Sequence, residues 1–392
     1  PFYTLEEKET LGKEWTRKEW AYARLGDMFS SRIPADLQMK STEIMTEADA
    51  YIAEYNIYMG SLIDSIGKKY FPQDMVLITH WGLRDELKSN YTAQNDGLVK
   101  QKMIYDVMKH IIYQTIPTEV INSGKYQWNP SINKLYNNGT DITSEKEPNT
   151  RYAHLLNNFK ARKAMDEFNA GYPTYIMRAF DQQMEMSQEE VEQLFTELCS
   201  SPLTKEVGKL IEKRLGRPLE PFDIWYDGFK ARGKYTGEQL DSKVGDKYPT
   251  IEAFQNDLLH ILKKLGFSDE KAGFISSRVQ VDPSRGAGHA WGAEMRSDKA
   301  RLRTRIPEGG MEYKGYNIAI HEFGHNVEQT ISLYDIDYYV LQGVPNTAFT
   351  EALAFIFQKR DLELLGLKDE DPLKKHMLAL DNFWSAYEIM GV

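Results

Sequence analysis

The sequence predicts a mainly α protein with one small β-sheet. Two observations predict it: apolar and aromatic residues recur at three- and four-residue spacings through most of the chain, and clear apolar/polar alternation occurs at Lys299 to Ile306. The 392 residues leave room for two or three domains or one large helical body. With 41% hydrophobic and 27% charged residues the composition is that of an ordinary globular protein. No apolar run approaches the ~18 residues of a membrane span.

From Thr4 to about Lys69 the spacing predicts two or three amphipathic helices, with Trp15, Ala21, Leu25 and Met28, then Ile52, Tyr55, Tyr58 and Leu62, on their apolar faces. His80 to Ile116 reads the same way. His110, near the end of its stripe, is expected to be packed or to sit at the helix C-terminus. Gly124 to Thr150 is rich in Asn, Gly, Pro and Ser and predicts a long surface loop with at most a short hairpin. Periodicity resumes over Arg151 to Met186, and Ser187-Gln-Glu-Glu190 is a capping-box pattern opening a helix that runs to about Cys199. Thr204 to Leu215 forms another, ended by Gly216 and Pro218, and Thr250 to Leu265 a further one, stopped by Gly266. In Lys299 to Ile306, Leu302, Thr304 and Ile306 alternate with Arg301, Arg303 and Arg305, the pattern of an edge strand with a solvated arginine face.

Charge and cysteine content narrow the function. Acidic residues outnumber basic ones by 58 to 48, for a net charge of -10, so a phosphate-binding surface is not expected and nucleic acid is excluded as a partner class. The single Cys199 excludes an internal disulfide and a thiolate metal site. Any metal must be held by His, Asp or Glu. The chain begins at Pro1 without a visible leader, which leaves its compartment open.

The chemistry concentrates in "NIAIHEFGHNVEQ", Asn317 to Gln329. On a helix, residues four apart lie on one face about one turn (roughly 6 Å) from each other. His321 and His325 can therefore share one tetrahedral zinc ion, while Glu322 reaches water at the metal as a general base. The alternative is an ordinary helix with two solvated or packed histidines. A catalytic zinc needs a third ligand. Downstream, Pro345, Asn346 and Thr347 are start and cap signals for a strongly apolar helix in which Glu351 stands nearly alone. Glu351 is the candidate ligand, the alternative being an acid that favours the helix dipole. Gly324 inside the helix costs up to ~1 kcal/mol, and close approach of another backbone would explain it. Glu328 could support the site from outside but is expected to face solvent; Asp335 and Asp337 carry no assigned role.

These residues resemble the oligoendopeptidase and thimet-oligopeptidase family of zinc metallopeptidases, with angiotensin-converting enzyme a more distant relative. The resemblance extends to "LGRPLEPFDIWY" (Leu215 to Tyr226), to "RVQVDPSRGAGHAWGAEM" (Arg278 to Met295) and to the Phe349-Thr-Glu-Ala352 start of the second helix, and covers about Leu215 to Gly366. It implies a two-lobed helical zincin-like body: an N-terminal helical region, residues 1–214, forming lid and channel wall, and a catalytic region, residues 215–392, with the small sheet beside the active-site helix. His321, His325 and Glu351 take the positions of ligands to one zinc ion, Glu322 that of the base, and a short peptide is the implied substrate. Strand Lys299 to Ile306 would pair with substrate backbone, with Arg303 on it. The turn Gly286 to Gly292, including Gly288, His289 and Gly292, would lie nearby, with His289 either touching substrate or packing. The family's oxyanion-stabilising tyrosines and histidines come well after the third ligand. Neither Tyr387 nor the Tyr338/Tyr339 pair fits that motif, so the expectation is that a C-terminal segment or a separate chain completes the site, or that the oxyanion donors are unusual. The competing reading is a catalytically silent peptide- or zinc-binding protein on the same scaffold.

Overall fold

The computed structural model describes residues 2–79, 81–93, 95–229, 235–284, 288–343, 347–367 and 372–391. The chain begins with α1 (Leu5–Leu11), α2 (Arg17–Asp27) and α3 (Ala35–Ala53), followed by β1 (Asn56–Tyr58), β2 (Val76–Ile78), α4 (Gly82–Ser89) and α5 (Gly97–Ile112). Three short strands come next, β3 (Gln127–Asn129), β4 (Lys134–Asn137) and β5 (Thr140–Ile142), then α6 (Thr150–Lys163), α7 (Tyr175–Met177), α8 (Gln188–Cys199) and α9 (Pro202–Leu215). After α10 (Gly237–Lys247), α11 (Ile251–Leu265) and α12 (Asp269–Ser276) come β6 (Val279–Pro283), β7 (His289–Trp291) and β8 (Ala300–Thr304). The last helices are α13 (Tyr313–Asp335), α14 (Thr347–Gln358), α15 (Asp361–Leu364) and α16 (Pro372–Gly391). The protein is thus mainly helical with small sheets, and no helix among the described residues is long and apolar enough to cross a membrane.

Two compact units share the chain, and both are discontinuous. The first comprises Pro1–Ser31, Ala170–Gln188 and Arg232–Pro372. Its core joins Leu258 and Ile261 of α11 to Val281 and Leu302 of the sheet and to Ile320 and Phe323 of α13, all buried. Thr250 caps α11 by accepting from Ala253 N–H, and Gly266 ends it in the left-handed region at φ +103, which glycine adopts without a steric penalty. The sheet order is β6-β8-β7, with β8 parallel to β6 and antiparallel to β7. The edge position expected for Lys299 to Ile306 is therefore wrong. Its central strand already has a neighbour on each side, so it has no free ladder for a substrate backbone. Alternation reports only which face is buried, here Leu302 and Thr304 against an exposed Arg301, and says nothing about edges. The three-residue β7 that covers one side is too short to show a period.

The second unit comprises Arg32–Asn169, Glu189–Ala231 and Leu373–Val392. Ile57, Leu87, Ile104, Trp128 and Phe222 are among its buried core residues, and a smaller cluster gathers Val207, Ile211, Phe229 and Trp384. Here α3 stops at Ala53, so Tyr55 and Tyr58 do not extend a helical stripe: Tyr58 lies in β1, and buried Tyr55 donates from its hydroxyl to Glu147 at 2.8 Å. The loop expected over Gly124 to Thr150 holds a three-stranded antiparallel meander, β3-β4-β5. Its strands of three or four residues hide among turn formers, yet they bury Trp128 and Leu135. Arg151 to Met186 is helical in pieces: α6 ends at Lys163, a single 3-10 turn spans Asp166–Phe168, and the chain re-enters α-helix at Tyr175. His110 is packed, with Nδ1 2.7 Å from the Thr115 hydroxyl and Nε2 2.7 Å from the Pro130 carbonyl. In "LGRPLEPFDIWY", Asp223 is buried and accepts from both terminal nitrogens of Arg217, at 2.6 and 2.9 Å, and from the Tyr91 hydroxyl at 2.7 Å. That segment is folded around a paired, fully bonded carboxylate, which is what burial of a charge requires.

Candidate metal centre

Helix α13 is built on one apolar stripe, Tyr316, Ile320, Phe323 and Val327, at i, i+4, i+7 and i+11, all fully buried in the core of the first unit. That stripe fixes the rotation of the helix. His321 and His325 then fall on an adjoining face, with side chains 15% and 12% exposed. Helix α14 packs against this face at Gly324, where a Cβ would stand 2.7 Å from Ala354 Cα. The glycine is there because a neighbouring backbone occupies the space a side chain would need. Close packing at Gly324 and Ala354 brings Glu351, one turn before Ala354, level with the two imidazoles.

The three side chains converge. His321 Nε2 is 3.2 Å from His325 Nε2, Glu351 Oε2 is 3.3 Å from His321 Nε2, and Glu351 Oε1 is 3.5 Å from His325 Nε2. Ligand atoms held about 2.0–2.1 Å from a tetrahedral zinc ion stand about 3.3–3.4 Å apart, so the spacing suits that ion. The donor chemistry suits it too. His321 Nδ1 lies 3.2 Å from Gln358 Oε1 and His325 Nδ1 2.9 Å from the Thr350 hydroxyl, so each ring has an oxygen partner on the side away from the convergence point. The Thr350 hydroxyl can accept from His325 Nδ1–H as the Gln358 oxygen accepts from His321; with the rings in that form, two nitrogen lone pairs and a carboxylate face one another, an arrangement that a shared cation relieves. The Phe355 ring packs edge-on against His321 with centroids 5.0 Å apart.

Glu322 points from the same helix toward β7. Burial pushes its carboxyl above the usual carboxylate range, opposed by the imidazoles of His321, His325 and His289 and by the backbone N–H of Ala290. Gly288 lies beside it, pressed against Ile318, whose Cγ2 a Cβ there would meet at 2.7 Å, with Glu322 Cγ at an ordinary contact distance of 3.5 Å. His289 is exposed and close enough to act on Glu322 electrostatically. Gly292 lies against Gln329, whose side chain a Cβ would meet at 3.4 Å. Arg303, paired with His289 across the β7–β8 ladder, holds its guanidinium 4.0 Å from the centre of the Trp291 ring. Gly286 and Ala287 of the same turn, and the start signals Pro345 and Asn346, lie outside the described residues.

The other acids have ordinary partners. Glu328 accepts from the Ser332 hydroxyl at 2.6 Å, Asp335 pairs with Lys271, and Asp337 takes both Nε and Nη2 of Arg17. Asp337 is held down to about 2 by that guanidinium. Tyr339 is exposed, and Tyr387 packs on Trp384 within the second unit. Sequence reading missed Asn317, Thr350, Phe355, Gln358 and Asp361. A signal existed for two of them: Glu351, Phe355 and Gln358 are spaced i, i+4, i+7, one stripe of α14 on the side that meets His321.

No family model matches the chain, and no curated protein matches it significantly.

Proposed function

We propose that the chain is a zinc-dependent peptidase of the helical, two-lobed zincin type, hydrolysing short peptides. The observation that carries this reading is the convergence of His321, His325 and Glu351, whose ligand atoms all lie within 4.8 Å of one another, beside a half-buried Glu322. These three residues would hold one zinc ion. Zinc in such a site supplies Lewis acidity, lowering the pKa of water toward ~7 and polarising a carbonyl oxygen. Glu322 takes up the proton released as water attacks the peptide carbonyl, then delivers it to the departing amine. Its raised affinity for protons serves both steps, because an acid nearer neutrality accepts and returns a proton with less loss at either stage. The substrate backbone would lie along β7, whose described pairing is with β8 alone, and not along β8 itself.

Glu322→Gln tests the reading. The variant keeps the three ligands, so it should bind zinc as the native chain does while peptide cleavage falls by about 10²–10⁴-fold, the usual contribution of a general base. Cleavage of an oligopeptide library at the native rate by this variant would overturn the assignment. Stoichiometric zinc without any cleavage by the native chain would favour the silent zinc-binding protein instead.

A further inference from the structure

Beyond the three ligands, a chain of side chains runs from His321 back to a buried carboxylate. Asp361 is 6% exposed and opens α15. Its Oδ1 accepts from the Leu362 backbone N–H at 2.6 Å, and its Oδ2 accepts from the Tyr313 hydroxyl at 2.6 Å and from Asn317 Nδ2 at 2.8 Å. A carboxylate offers acceptors only. Asn317 must therefore turn its amide nitrogen to Asp361, which leaves its oxygen facing Gln358. Gln358 Nε2 donates to that oxygen at 2.7 Å. The second amide is thereby oriented as well, and its Oε1 faces His321 Nδ1 at 3.2 Å. An amide oxygen cannot donate, so the imidazole carries its proton on Nδ1. The Nε2 lone pair is then free on the side where His325 and Glu351 wait.

We propose that Asp361, acting through Asn317 and Gln358, fixes His321 as the Nδ1–H tautomer, so that Nε2 is ready as a ligand before any ion arrives. One charge sets the polarity of the whole relay: reversing Asn317 would set oxygen against oxygen at Asp361 and N–H against N–H at Gln358, and reversing Gln358 would set its oxygen against that of Asn317. Direct contact between a carboxylate and a ligating histidine is a common way to orient the ring. Here Phe355 packs on the ring, and the charge acts from two amides away. Burial of Asp361 and its contacts to Tyr313 and Leu362 hold the far end still. The proposal rests on the zinc reading for its purpose but not for its first test.

That first test is the tautomer itself, read in the metal-free native chain by long-range proton–nitrogen NMR with labelled histidine, above the imidazole titration range. His321 should show a protonated Nδ1 and a bare Nε2. A protonated Nε2 would overturn the relay whether or not the protein cleaves peptides. Gln358→Met keeps the length and removes the acceptor, and should move His321 toward the Nε2–H tautomer and weaken zinc binding by about 10- to 100-fold in competition with a chelator. Gln358→Glu keeps an acceptor at Nδ1 but sets its second oxygen against that of Asn317, so it should hold the Nδ1–H tautomer while lowering the melting temperature. Native tautomer and native zinc affinity in a folded Gln358→Met would also overturn the proposal. If that variant does not fold, the native spectrum and Gln358→Glu still decide. Loss of zinc binding in the native chain with the Nδ1–H tautomer intact would count against the zinc reading and leave the tautomer assignment standing.

Discussion

Glu322 shows how one residue can be kept at a cost to the fold. Its carboxyl is shifted up chiefly by burial, so in the folded chain it holds its proton to a higher pH than the ordinary 4.5. The sign of the linkage follows. A group whose folded pKa is raised contributes stability that is fully present below its unfolded pKa and lost as pH rises through the folded value. At neutral pH the ionised Glu322 therefore destabilises the metal-free protein. Glu322→Gln, neutral throughout and still able to accept from Ala290, should melt higher than the native chain at pH 7, and the difference should shrink as pH falls toward 4. Thermal melts of both metal-free proteins across that range check it. A variant less stable than the native chain at pH 7 would mean that Glu322 is structurally favourable as a charge, against the role assigned to it.

At the scale of elements, the site is a product of how α14 docks on α13, and Gly324 is the point of contact. Gly324→Ala gains up to ~1 kcal/mol of helix propensity but must displace the Ala354 backbone, which costs typically about 1–3 kcal/mol. The net effect should be destabilising, and zinc affinity should fall with it because Glu351 moves along with α14. Gly273→Ala in α12, where a Cβ would meet nothing within 4 Å, is the control and should stabilise the protein by about 0.4–1 kcal/mol. Denaturant melts of the two variants should move in opposite directions. The same contact explains how much of the molecule could be read from its sequence. Helices such as Ile251–Leu265 and Pro202–Leu215 announce themselves because a long apolar stripe and a terminal glycine repeat the same message many times. His321, His325 and Glu322 are equally legible, since one helix sets their spacing. Strands of three residues carry too few positions to show a period, so β7 and the β3-β4-β5 meander stayed hidden, and the central place of β8 with them. Asn317 and Asp361 were invisible for a different reason: an amide and a lone acid acquire meaning only when neighbouring helices place them end to end with Gln358.

For the whole molecule, a metal held by α13 and α14 becomes a term in folding stability. The unfolded chain is a poor competitor for zinc, having eight histidines scattered along 392 residues and one cysteine, so binding should favour the native state almost exclusively. Stabilisation then grows with the logarithm of free zinc, reaching about 2.7 kcal/mol at a hundred times Kd. Adding zinc should raise the melting temperature in a concentration-dependent way, and a chelator should return it to the metal-free value. Glu322→Gln should respond as the native chain does, whereas His325→Ala should show little response because two ligands cannot close the site. The comparison separates a specific centre from loose association with the many surface carboxylates of an acidic chain, since surface binding would stabilise all three proteins alike. A melting temperature indifferent to zinc and chelator in the native chain would remove the ion from the structure, and the peptidase reading with it.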